Sequence, residues 1–300
     1  MAMAKEALEQ LRIDAGEKFR IADHSARWLP PAAKDLSKSE RKAIAEQMLA
    51  TSKEELAAAQ EVLYADGRHS VLILFQAMDA AGKDGTISHV MSGVNPQGCS
   101  VTSFKVPSSQ ELSHNYLWRY SKALPARGMI GIFNRSYYEE TLVVRVHPAI
   151  LANAGLPPSC ITDDIWQERY EDINNFEQHL ARNGTTILKF FLNVSKEEQK
   201  GRFLERLETP EKNWKFSSGD IVERGYWDDY MVAFEQAITA TSTPWAPWYV
   251  IPADRKWAMR AAVADIITTT IQGLPLEYPK LPEDEVARLA DAKAKLLAEK

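Results

Sequence analysis

The sequence predicts an α/β fold, a parallel sheet flanked on both sides by helices, with a phosphate-binding loop of the P-loop type after its first strand. Two observations carry that prediction. Short apolar runs at Val71 to Gln76, Val101 to Val106, Met129 to Phe133, Thr186 to Leu192 and Trp248 to Ile251 alternate with polar-patterned segments at Gln110 to Lys122, Asp163 to Arg182 and Lys196 to Leu207. That order builds a parallel sheet with right-handed helical crossovers. The first run, VLILFQ, feeds directly into AMDAAGKDG, Ala77 to Gly85, a degenerate form of the loop that cradles phosphates.

Lys38 to Tyr64 reads as one long helix, begun by SKSE, broken at Asp66 and Gly67, and expected to cover one face of the sheet. Val71 to Gln76 lacks polar alternation, as a strand buried on both faces requires. After the loop, TISHVMSGV has helical spacing and ends near Gly93 and Pro96, which gives strand, loop and helix in the order a P-loop needs. Beyond Pro282, EDEVARLADAKAKLLAEK is a charged amphipathic tail suited to docking on a neighbour or pairing in an oligomer.

Composition narrows the function classes. With 45% apolar and 26% charged residues over 300 positions, the chain is expected to be an ordinary globular protein with a real core. No apolar run approaches the ~20 residues of a membrane span, and MAMAKEALEQ has no apolar signal core, so a cytoplasmic protein is expected. A formal charge of -5 argues against general nucleic-acid binding and makes any polyanion site a local basic patch. Cys99 and Cys160 have no metal spacing and read as core filler in a reducing compartment. The histidines at 89, 114, 147 and 179 read as structural or surface groups, and most of the tryptophans at 214, 227, 245, 248 and 257 as packing residues.

Three constellations can carry chemistry. A standard loop reads G-x-x-x-x-G-K-[ST]; here Gly82 and Lys83 are in place, but Ala77 replaces the first glycine and Asp84 the hydroxyl. Lys83 and the backbone N–H groups of Ala80 to Gly85 can still meet phosphate oxygens at a helix N-terminus. Asp79 repels phosphate unless Mg2+ intervenes or it takes a proton from an attacking oxygen, so an acid there suggests chemistry. The second constellation is IFNRSYYEE. A Walker B strand ends in an aspartate that helps hold Mg2+, whereas this one ends in Asn134, a neutral oxygen donor, followed by Arg135, whose planar fork suits phosphate. Glu139 and Glu140 open the next helix, where acids also simply complement the dipole. The third is the basic stretch of Arg202, Arg206, Lys212, Lys215 and Arg224, either a lid over phosphates or a solvated helix paired with its own glutamates. Lys105, Arg119, Lys122 and Arg127 can extend the same basic groove.

These residues resemble one family, the polyphosphate kinases of family 2. The resemblance runs from about Phe19 to Tyr278 and rests on MDAAGKDGTISHVMSGVNPQG, SFKVPS, LWRYSKALPARG, IFNRSYYEE, LVVRVHP, ERLETPEKNWKFSSGD and PWYVIPADRKW. It implies a thymidylate-kinase-like P-loop fold with a helical lid, and Mg2+-dependent transfer of the terminal phosphate of inorganic polyphosphate to a nucleotide. The implied layout is an N-terminal helical segment over residues 1–70, a kinase core over 71–275 with its lid at about 207–226, and a tail over 276–300.

The resemblance also implies roles. Asp79 would orient Mg2+, possibly with Asn134, or activate the acceptor phosphate; Lys83 would clamp the transferring group and Arg135 neutralise developing charge. Ala80, Ala81, Gly82, Asp84, Gly85, Thr86 and Lys105 would line the phosphates, and Arg202, Arg206 and Lys215 would hold the chain. Asn134 and Glu139, with Arg119 and Arg127, would select the acceptor. Many members carry D-R-S where this chain has Asn134-Arg135-Ser136, and the N-R-S-x-Y-E form resembles the class III subgroup, which phosphorylates both nucleoside mono- and diphosphates. The implied partners are inorganic polyphosphate, AMP, ADP, ATP and guanine nucleotides, with no nucleic acid or membrane, in a homo-oligomer of two or four chains. Two alternatives stay open: an ATP-dependent nucleotide kinase on the same fold, and a non-catalytic polyphosphate- or nucleotide-binding module.

Overall fold

Every residue of the strand Ser70–Gln76 is buried, so it lies in the middle of a sheet covered on both faces. The computed structural model describes residues 5–299; residues 1–4 and 300, at the ends of the N-terminal segment and the tail, lie outside the described residues. Among the described residues six strands form one sheet: β1 (Arg12–Ile13), β2 (Ser70–Gln76), β3 (Cys99–Ser103), β4 (Ile130–Asn134), β5 (Thr185–Asn193) and β6 (Trp248–Pro252), in the order β1-β6-β5-β2-β4-β3. All neighbours are parallel except β1, which pairs antiparallel with β6. The N-terminal segment, expected to be helical, therefore also contributes an edge strand. Phe75 pairs with Asn134 on one side and Phe190 on the other, so β4 and β5 flank β2 and their C-terminal ends align with its own. The chain leaves β2 at the point where strand order reverses, the place where open α/β sheets form ligand crevices.

The longer helices are α1 (Lys38–Asp66), α2 (Lys83–Val90), α3 (Ile165–Arg182), α4 (Lys196–Glu208), α5 (Ser218–Gly225), α6 (Trp227–Thr241), α7 (Lys256–Gln272) and α8 (Glu283–Ala298). The Ser37–Glu40 capping box starts α1 as SKSE predicts, and Gly67, at φ +66°, ends it. Along its length α1 packs on α7, whose Thr268 hydroxyl donates to the Ser52 carbonyl at 3.1 Å. The sequence reading missed α7, because Ala261 through Thr268 are all buried, the polar Asp265 and Thr268 included, so no solvent-facing polar stripe reveals its period. It also missed α6, although buried Trp227, Tyr230, Phe234, Ala237 and Thr241 keep helical spacing.

Three expectations change. The segment Gln110 to Lys122 is not one helix but two short turns, Ser109–Leu112 and Trp118–Ser121. Between them the Ser113 hydroxyl donates to the Gln110 carbonyl and Asn115 Oδ1 accepts from Leu117 N–H, local bonds that compete with helix continuation. The run Val101 to Val106 is an edge strand that stops at Ser103, with Val106 91% exposed. Cys160 is exposed rather than core filler, while the half-buried Cys99 thiol is pushed up to about 11 by burial. Among the described residues no helix is long and apolar enough to cross a membrane.

Candidate active site

The loop Ala77 to Gly82 joins β2 to α2 and is held in a conformation its residues do not choose freely. Gly82 has φ +109° and, less usually, Ala80 has φ +58°, a left-handed backbone that costs a side-chain-bearing residue roughly 1–3 kcal/mol. Two side chains from α4, three residues apart, hold it there. Gln199 Nε2 donates to the Asp79 carbonyl at 2.9 Å, and Arg202 Nη1 donates to the Ala80 carbonyl at 3.1 Å and to that of Ala81. With consecutive carbonyls turned toward α4, the loop N–H groups other than that of Ala81, which donates to the Met78 carbonyl at 3.3 Å, are left for an anion, the arrangement the degenerate motif needs. Lys83 Nζ donates to the Ala77 carbonyl at 2.8 Å; burial and, next, the positive Arg135 lower its pKa to about 8.

The end of β4 faces this loop. Arg135, also in a left-handed conformation at φ +65°, reaches Asp79 at 2.6 Å and Glu139 at 3.2 Å, and these carboxylates, Glu139 first, push its pKa up. Glu139 is positioned in turn by Gln76, the last residue of β2. The Gln76 amide, oriented to satisfy its surroundings, donates to Glu139 Oε1 at 2.9 Å and accepts from the Ser136 backbone N–H at 3.0 Å. Asn134 Nδ2 donates to Asp84 Oδ1 at 2.6 Å, so the residue at the Walker B position contacts the residue at the Walker A hydroxyl position. The hydroxyl of Thr86, in the first turn of α2, is buried without a hydrogen-bond partner.

A cleft of about 520 Å3 opens over these groups, lined by Asp79 through Gly85, Ser103, Phe104, Lys105, Asn134 and Arg135 on the sheet side and by Arg206, Trp214, Lys215 and Asp220 on the other. The second wall is the end of α4, the 3-10 turn Pro210–Lys215 and α5. Arg206 Nη1 donates to the Lys215 carbonyl at 3.0 Å and lies 3.5 Å from Asp220, whose pKa is raised by burial and by Asp79. Trp214 is 78% exposed in this wall, unlike buried Trp227 and Trp248.

The structure brings most of the sequence-selected residues together and separates three. Arg202 is 7% exposed and its guanidinium is taken up by Glu198 and by the carbonyls of Ala80, Ala81 and Ala253, so it braces the loop instead of facing the cleft. Arg127 lies at the other end of β4: the next residue, Gly128, donates to the His69 carbonyl just before β2 begins, roughly 20 Å along the strand from Asn134. Arg119 donates to the Lys105 carbonyl at 2.9 Å and lines a second cleft, of about 320 Å3, with Glu111, Tyr116, Glu140 and Asp172. Glu140 is bound there by Arg169 at 3.0 Å, and burial raises its pKa. Gln76 and Gln199 were not found from the sequence, since a neutral amide outside a motif leaves no signal there.

Among the described residues no three His, Cys, Asp or Glu side chains are grouped to hold a metal ion by themselves. Of the residues with side-chain oxygens that line the cleft, Asp79, Asp84 and Asn134 lie at the loop and the end of β4 and suit Mg2+, which keeps several waters and takes one or two carboxylates plus substrate phosphates.

The family model of polyphosphate kinase 2 matches residues 38–277. A protein of Rhodopseudomonas palustris named ADP-polyphosphate phosphotransferase is 49% identical over 290 residues, covering 96% of this chain and 98% of its own. A protein of Meiothermus ruber named AMP/ADP-polyphosphate phosphotransferase is 50% identical over 234 residues, covering 78% of this chain and 84% of its own. The crystal structure of polyphosphate kinase 2 from Arthrobacter aurescens superposes with a TM-score of 0.86 at 41% identity, covering 98% of this chain and 99% of that one.

Proposed function

The chain belongs to the polyphosphate kinase 2 family, and from that premise we propose that it transfers the terminal phosphoryl group of inorganic polyphosphate to nucleoside mono- and diphosphates, AMP to ADP and ADP to ATP, reversibly and with Mg2+. The observation that carries the reading is the single cleft in which Lys83, Arg135, Lys105, Arg206 and Lys215 converge around a P-loop at the sheet's switch point. Phosphoryl transfer needs little covalent chemistry; it needs in-line positioning and neutral surroundings for three equatorial oxygens.

Loop N–H groups and Lys83 would hold the phosphate at the reacting end, with Lys83 exchanging its loop carbonyls for phosphate oxygens. Arg135, fixed on both sides by Asp79 and Glu139, would present its remaining edge to the transferring group. Arg206 and Lys215 would follow the donor chain, and Lys105, Asn134 and Glu139 the acceptor. Bound Mg2+ would supply charge neutralisation to the reacting phosphates; Asp79, Asp84 and Asn134 would be the residues to hold it. The segment at about 207–226 acts as the lid in this reading, because excluding water protects the phosphoryl group from hydrolysis and strengthens each charge contact. The names of the two bacterial relatives support nucleotide acceptors, one ADP and the other both AMP and ADP; the N-R-S-x-Y-E form favours both here.

The wider setting proposed is a cytoplasmic homo-oligomer of two or four chains that also accepts guanine nucleotides. The oligomer is supported by the exposed apolar face of α8, with Val286, Leu289, Leu296 and Leu297. The test of the activity is a transfer assay with Mg2+, offering polyphosphate or ATP as donor to AMP and separately to ADP. ATP formed from both acceptors with polyphosphate is expected. ADP as the sole acceptor would remove the subgroup reading of Asn134 and Glu139, and ATP as the sole donor would make the protein an ordinary nucleotide kinase.

A further inference from the structure

The contact between Asn134 and Asp84 unites two of the three positions at which this chain departs from the standard motifs, the third being Ala77 in place of the first glycine. In P-loop enzymes Mg2+ is held by a Ser or Thr hydroxyl following the loop lysine and by a Walker B aspartate. That pair carries one negative charge, on the strand. Here the hydroxyl position holds Asp84 and the strand position Asn134, 2.6 Å apart, so the pair again carries one negative charge, now on the loop side. In the sequence these two substitutions lie fifty residues apart; in the structure they are in contact.

The orientation of the pair points the same way. Asn134 is 8% exposed, and its amide nitrogen is used by Asp84 and, more distantly, by Ser103 Oγ at 3.5 Å. Its Oδ1 has no donor among the described residues, and both Asn134 and Asp84 line the cleft. That amide oxygen is open to the cleft and free to meet a cation there. Asp79, by contrast, is already neutralised by Arg135 at 2.6 Å. We infer that Asp84 and Asn134 are an exchanged metal-binding pair, in which Asp84 supplies the anchoring carboxylate for Mg2+, Asn134 supplies a neutral oxygen, and Asp79 serves chiefly to fix Arg135. The inference rests on the phosphotransfer reading of the cleft for its Mg2+, and concerns which residues receive it.

The test uses the full chain and two readouts: Mn2+ binding to the nucleotide-free protein, followed by the electron paramagnetic resonance of free Mn2+, and the Mg2+ concentration giving half-maximal transfer from polyphosphate to ADP. Asp84→Asn should weaken Mn2+ binding and raise the half-activating Mg2+ by about tenfold or more. Asp79→Asn should lower turnover with a much smaller change in either metal readout. The double variant Asp84→Ser with Asn134→Asp restores the standard pair and should recover metal binding to within about threefold of wild type, where Asp84→Ser alone does not. Unchanged Mn2+ binding in Asp84→Asn would overturn the inference, as would a double variant no better than the single one. A wild type that transfers no phosphate yet loses Mn2+ with Asp84→Asn would sink the phosphotransfer reading and leave the metal pair standing.

Discussion

At the scale of single residues, Lys83 links burial to a pH profile. A lysine held near pKa 8 by burial and by Arg135 loses its proton in the free enzyme well below the ordinary lysine range near 10.4. Only the ammonium form can clamp phosphate, so kcat/KM should fall as pH rises through about 8. Bound phosphate favours the charged form, so kcat should hold to higher pH. Lys83→Arg, which does not titrate there, should lack the alkaline limb even if it is slower; the same limb in both enzymes would assign it to another group. Lys83→Ala and Asp79→Asn should each lower kcat by at least ~10²-fold with the fold intact, checked by steady-state rates and circular dichroism. Arg135→Lys should be similarly damaging, because an ammonium cannot meet Asp79, Glu139 and a phosphate in one plane. Charged groups such as these were legible in the sequence because motif spacing announces them. The role of Arg202 was not, since a cation four residues from another on a helix looks the same whether it faces phosphate or backbone carbonyls.

At the scale of elements, α4 ties the loop to the lid through one side chain. Gln199, 1% exposed, donates to the Asp79 carbonyl and accepts at 2.7 Å from Arg224, which lies in the last turn of α5. Removing that bridge should loosen both partners together. Gln199→Leu, and separately Arg224→Ala at the half-exposed end, should raise polyphosphate hydrolysis relative to transfer, and the two changes combined should add little to either alone. Independent, additive effects in the double variant would mean that loop and lid are not coupled here. Arg202→Lys should weaken tripolyphosphate and long-chain donors by the same factor, since a loop brace does not touch the chain, whereas Lys215→Ala should penalise long chains more. The strands around this machinery were readable as apolar runs, while their boundaries and the broken segment 109–121 were set by local bonds from Ser113 and Asn115 that no hydropathy pattern contains.

At the scale of the whole molecule, the sheet and the helices beneath the active site meet at a fully buried ion pair. Lys189 of β5 donates to Glu177 of α3 at 2.6 Å, to the Tyr138 hydroxyl at 2.9 Å and to the Thr241 carbonyl of α6 at 2.7 Å. Tyr137 and Tyr138 also donate to Glu177 Oε1, so the pair anchors the turn that carries Glu139 beneath Arg135. The fold class was legible without it, because a parallel sheet follows from alternating runs; the strand order and this cross-link were not, because a lysine inside LKFFLN reads as an interruption until its partner is known. Breaking a buried pair from one side leaves an uncompensated charge and costs about 3–5 kcal/mol. Lys189→Met should therefore lower the urea midpoint sharply. Burial already raises the Glu177 pKa, and without Lys189 it rises further, so the folded variant binds a proton that the unfolded chain has released. Its stability then falls as pH rises from the ordinary carboxylate range toward that raised pKa, and the deficit against wild type should be larger at pH 8 than at pH 5. Glu177→Gln with Lys189→Met removes both charges and should abolish that pH dependence. A single variant with an equal deficit at both pH values would show that Glu177 finds another cation or water once Lys189 is gone, and that the pair is not what holds the turn in place.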